Sequence, residues 1–110
     1  MDKFQKKARS AAHRYAMTSV VSPFTHREAV KDTEDSFLAG VYAQRDNLMK
    51  TVRTRKRGLS VEELLEQTFA KHIAKYYNGA ENNKDLMFCV KNDIYEGIKW
   101  SIIKGWDEDE

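Results

Sequence analysis

Lys50, Arg53 and Arg57 recur at the i, i+3 and i+7 spacing that lines up side chains on one helix face, with Arg55 and Lys56 beside them. Five of the eight residues from Lys50 to Arg57 are basic and none is acidic. A strip of this kind can track phosphates, each neutralised phosphate releasing counterions to solution. It can equally close a helix, because cations in the last turn offset the negative end of the helix dipole. Two or three cations meet that second need and five exceed it, so both readings stay open. Lys3, Lys6, Lys7, Arg9 and Arg14 strengthen the first only if the fold brings the two basic regions together.

Other chemistry finds few residues to carry it. His13, His26 and His72 are scattered and none belongs to a His-Glu-x-x-His or Glu-x-x-His unit. With no Cys-x-x-Cys either, dedicated zinc or di-iron sites lack ligands, and no metal or other cofactor is expected. Cys89 has no local partner that would make it a nucleophile. Phosphate-loop and hydrolase glycine motifs are absent, and Glu62, Glu63 and Glu66 suit the first turns of a helix. No catalytic residue is predicted, and the chain does not read as an enzyme. The stretch Arg57-Gly-Leu-Ser-Val-Glu-Glu-Leu64 resembles the opening of a repressor-type helix-turn-helix. No turn glycine or second cap follows it, so a continuous helix fits better.

The elements that must position these residues read as four helices. The first covers about residues 2–20, with Phe4, Ala8, Ala11, Ala12 and Tyr15 inward. Ser22-Pro23 or the capping box Thr25-x-x-Glu28 then makes a corner. A second helix runs from about 25 towards 57 on the stripe Val30, Phe37, Val41, Leu48 and Val52, with Asp46-Asn47 the place for a break. Gly58 suits a left-handed cap, and Leu59 the apolar contact after it. Ser60-x-x-Glu63 opens the third helix as a capping box stapled by Leu59 and Leu64. That helix continues through Leu65, Phe69, Ile73 and Tyr76 to Asn78-Gly79, with His72 half-buried. The fourth spans about 84–104 on Met87, Val90, Ile94, Ile98 and Ile102, with Cys89 a small core residue.

Two glycines need a reason. Phe37-x-x-Gly40-Val41 and Ile94-x-x-Gly97-Ile98 share one pattern, and a glycine inside a helix costs about 1 kcal/mol. Close helix crossings at both are expected.

At 110 residues the chain is long enough for one domain with a modest core. An all-α bundle is predicted over 1–106, followed by an acidic tail, Asp107-Glu108-Asp109-Glu110. The net charge is only +2 but unevenly placed: residues 80–110 hold four cations against eight acids. The pI of 8.6 falls below the range of dedicated nucleic-acid modules, above about 9. One cysteine points to a reducing, cytoplasmic setting, although the basic first segment also fits a transit peptide. No apolar run is long enough to span a membrane, and no membrane partner is expected.

These features predict a small accessory protein that acts by binding. Lys50, Arg53, Arg55, Lys56 and Arg57 would face a nucleic-acid backbone or an acidic protein surface. The alternative is a homo-oligomer or other helix-assembly protein using Tyr76, Tyr77, Trp100 and Trp106 as aromatic anchors. An impression from size and charge, rather than from chemistry, places the chain with bacterial or phage accessory proteins.

Overall fold

The computed structural model describes residues 3–19, 27–54 and 57–104. Helix α1 covers Lys3–Ser19, α2 Arg27–Thr54, α3 Val61–Tyr76 and α4 Lys84–Lys104. Among the described residues there is no strand, and the chain folds as the expected all-α bundle.

The glycine pattern sets the central crossing. A Cβ added to Gly40 would lie 2.0 Å from the Ile94 carbonyl oxygen, and one added to Gly97 would lie 1.9 Å from that of Phe37. Each glycine therefore meets the carbonyl of the residue three positions before the other. Its Cα hydrogen faces that oxygen, the arrangement of a weak Cα–H···O bond. The backbones of α2 and α4 approach until nothing larger than hydrogen fits between them. Val41, Ile94 and Ile98 then close over the crossing, fully buried.

Helix α1 docks on this pair through small residues and one aromatic anchor. Ala8, Ala12 and Ala16 are buried, and Phe4 lies among the Tyr42 and Trp100 rings at 6.2 and 5.9 Å. The Arg45 guanidinium stacks 3.9 Å from the Phe4 centroid. Tyr15 rests on Phe37 at 5.1 Å and donates a 2.7 Å hydrogen bond to the Asp93 carboxylate on α4. On the solvent side, His13 and Glu34 join α1 to α2 at 2.7 Å.

Helix α3 starts at the predicted capping box: Ser60 Oγ accepts from the Glu63 N–H at 3.2 Å and donates to the Glu63 carboxylate at 3.0 Å. Leu64 and Ile73 pack against Val90, Ile94 and Ile98 of α4. Asn83 caps α4 by accepting from the Leu86 N–H at 3.1 Å.

Several expectations are corrected. Helix α2 runs unbroken through Asp46-Asn47, and the Asn47 side chain bonds the following loop at Leu59 instead of the helix backbone. Val52 and Ile102 are exposed because each takes the outer face of its helix, while the adjacent Thr51 and Ser101 are half-buried and buried. Cys89 is exposed beside Phe88; a five-residue apolar run wraps more than half of a helix, and only Leu86, Met87 and Val90 turn inward. Gly58 is not left-handed, whereas Gly79 is, at φ +94°. Tyr77, not Tyr76, joins the core of α3. The corner at Ser22-Pro23 and Thr25, together with Arg55, Lys56, Trp106 and the acidic tail, lies outside the described residues.

The crossing and the Tyr15–Asp93 bond each have a measurable consequence. Gly40→Ala and Gly97→Ala gain about 1 kcal/mol of helix propensity but force two backbones apart. Each is expected to destabilise by a net of about 2–3 kcal/mol, read as a lower thermal midpoint. Burial pushes the Asp93 carboxyl up to about 6, the Tyr15 bond opposing and Glu96 adding. A raised carboxyl binds its proton more tightly in the folded chain, so its contribution is present below about pH 4 and lost as pH rises through about 6. Asp93→Asn, which keeps an acceptor for Tyr15, should therefore stabilise by roughly 1–3 kcal/mol at pH 7.5 and by little at pH 4, in paired urea melts.

Candidate anion-binding groove

Between α2 and α3 the bundle opens. Helix α2 lies far more extensively against α4 than against α3, so the two walls splay and leave a groove of about 590 Å³. That volume falls inside the usual range for small-ligand sites, about 300–1,000 Å³. The α2 wall runs from Ala39 to Thr54 and the α3 wall from Leu64 to Tyr76. At 1.5 Å per residue both walls are about 20 Å long. Helix α3 returns antiparallel to α2, with Leu59 beside Asn47 at one end and His72 beside Ser36 at the other.

Polar contacts hold the splay. The Asn47 amide donates to the Leu59 carbonyl and accepts from the Leu59 N–H, both at 3.0 Å. This paired contact fastens the loop to α2; of the two residues of the expected staple, Leu64 is buried and Leu59 exposed. Gly58 belongs here for space rather than conformation, since a Cβ would meet Thr51 Oγ1 at 2.4 Å. At the other end Ser36 Oγ, fully buried, donates to the Asp32 carbonyl at 3.0 Å and lies 3.2 Å from His72 Nε2. Burial lowers the His72 pKa below its ordinary value, with Asp35 and Asp32 pulling it back up. His72 is therefore a neutral structural contact at pH 7 and adds no charge to the groove.

The charge comes from both walls. Lys50 and Arg57 border the groove from the α2 side, Lys71 and Lys75 from α3, and all four are exposed. Among the described residues lining it, Asp46 is the only carboxylate. Thr51, Thr54, Gln67 and Thr68 add neutral hydrogen-bonding groups. Lys50, Arg57, Lys71 and Lys75 enter no ion pair among the described residues, whereas Lys91 and Lys99 on α4 pair with Glu66 and Glu96. Tyr76 stands at the far end, 58% exposed, its ring 4.8 Å from that of His72.

The predicted basic strip is thus divided. Lys50 and Arg57 enter the groove; Arg53 is exposed on the last turn of α2 but does not line it. The basic face of α1 contributes no residue to the groove. Among the aromatic candidates, Tyr77 is half-buried beside His72, and Trp100 is half-buried between Phe4 and Phe37. Lys71 and Lys75 were not singled out from the sequence. Their signal was the i, i+4 pair beside His72 and Tyr76, on the face of α3 that turns towards α2.

Among the described residues no cluster of three His, Cys, Asp or Glu side chains could hold a metal, and no helix is long and apolar enough to cross a membrane. Compared with family models, curated proteins and solved structures, the chain matches none.

The Asn47 clamp makes the loop testable. Asn47→Ala is expected to cost about 1 kcal/mol of stability and to speed tryptic cleavage after Arg57 several-fold, with cleavage on α4 unchanged. Equal acceleration at both places would point to global loosening instead.

Proposed function

We propose that this protein binds the phosphate backbone of nucleic acid through the α2–α3 groove, without catalysis. The observation that carries this reading is that Lys50 of α2, Arg57 of the loop after it, and Lys71 and Lys75 of α3 border one groove, with Asp46 the only carboxylate among the described residues lining it. Lys75 itself suits the last turn of α3, but Lys71, a turn earlier, serves no helix end and borders the same groove. Gln67 and Thr68 on the α3 wall add donors of the kind that hold phosphate oxygens, whereas the Thr51 and Thr54 hydroxyls donate to the Asn47 and Lys50 carbonyls. Backbone contacts of this kind set position and affinity without reading sequence.

An acidic protein surface is the competing partner. A standard protein interface covers about 800 Å² on each side, beyond the lip of this groove, whereas a phosphate chain fits within it. A second reading, self-association, draws on another face of the molecule. On α4, Phe88 is 74% exposed and Ile103 65%. Salt separates these possibilities, because phosphate binding weakens steeply with salt and an apolar oligomer persists.

Fluorescence anisotropy with labelled oligonucleotides over a salt series tests the proposal. Four phosphate contacts give a log–log salt slope of about −3 to −4. In the Lys50, Arg57, Lys71 and Lys75 quadruple alanine variant, the slope and most of the affinity should vanish while the helical circular dichroism is kept. Binding by the wild type that the quadruple variant retains would place the contact elsewhere, with the basic face of α1 the first place to look.

A further inference from the structure

We infer that the groove takes a single strand in extended form, with one base stacked on Tyr76, and excludes duplex. This rests on the phosphate-binding reading and adds the class of nucleic acid. Three observations carry it.

The first is shape. The cations line the two walls of a cleft between helices and do not spread over a convex face. A duplex keeps its bases inside and offers a cleft of this kind only the outer edge of one backbone. A single strand can lie along the groove, its phosphates reaching Lys50 and Arg57 towards one end and Lys71 towards the other.

The second is an exposed aromatic ring at the end of a positively charged track. A cationic groove with an aromatic platform is the arrangement that holds single strands without sequence preference, since every base has a flat face. Tyr76 lines the groove with over half its surface in solvent. The His72 ring backs it at 4.8 Å, and His72 is itself buried and held at Ser36. The platform is thus braced from behind. The Lys75 ammonium lies 5.2 Å from the Tyr76 centroid on a flexible stem, able to give way to a base while staying beside its phosphate.

The third is the composition of the floor. Ala39 and Ala43, both half-buried, present small apolar surface along the groove, and Leu64 is buried at its edge. Bases lie against such a surface; the outer phosphates of a duplex gain nothing from it.

The test uses the full chain at low salt with four probes of equal phosphate number: single-stranded DNA, single-stranded RNA, the matching duplex, and an abasic strand. Both single strands should bind about tenfold more tightly than the duplex and the abasic strand. Tyr76→Ala should lose about tenfold on the single strands and nothing on the abasic strand, while Tyr76→Phe, which keeps the ring, should behave as wild type. Duplex binding as tight as single-strand binding overturns the inference. So does equal affinity for the abasic strand, or an unaltered Tyr76→Ala variant. In each of those cases, loss of binding in the quadruple alanine variant still upholds phosphate contact in the groove. No binding of any probe overturns both.

Discussion

Two helix backbones in contact leave no freedom in what surrounds them. Gly40 against the Ile94 carbonyl and Gly97 against that of Phe37 lock α2 and α4 at one place and in one register. Sliding by a residue would bring a side chain against backbone. Everything else docks on this pair. The alanine face of α1 can approach because Ala8, Ala12 and Ala16 leave room, and Phe4 fills the corner where three helices meet. Helix α3 packs Leu64 and Ile73 on the side of α4 that the crossing leaves open.

The same constraint accounts for the groove. Helix α2 lies closely against α4 and α1 and only sparsely against α3. Beyond the crossing, α2 continues to Thr54 with one flank towards α3, and Asn47 and the Ser36–His72 contact join the two at points. Polar tethers fix a separation that apolar packing would have closed. Side chains facing the gap have room to be long and charged, and those present are Lys50, Arg57, Lys71 and Lys75. On α4, by contrast, Lys91 lies beside the Phe69 ring and Lys99 beside that of Tyr95, each also paired with a carboxylate. Cations already paired with a carboxylate are poor phosphate ligands; the four at the groove enter no ion pair among the described residues, although Lys75 rests over the Tyr76 ring.

Local signals made much of this legible. The capping box at Ser60 and the start of α4 at Lys84 depend on neighbours in sequence, and both stand where the pattern placed them. The glycine pair was readable because a glycine inside a helix is costly and has to be repaid by proximity. What stayed hidden depends on which helix lies beside which. Nothing local distinguishes Cys89, turned to solvent, from Val90, turned to the core, within one apolar run. Asn47 resembled a helix breaker because its clamp on Leu59 spans twelve residues. The placement of Lys71 and Lys75 towards the opposite end of the groove from Lys50 and Arg57 required the return of α3 along α2, and the basic run from Lys50 to Arg57 drew attention to one end alone.

The central claim is that the α2–α3 groove is where this protein meets its ligand. Titrating isotope-labelled protein with a short single strand while following its amide resonances addresses it most directly. Shifts gathered at Lys50, Thr51, Arg57, Lys71, Lys75 and Tyr76, with Lys6, Lys7, Phe88 and Tyr95 unmoved, are the predicted result. Shifts centred on the basic face of α1, or on the outer face of α4, would contradict it.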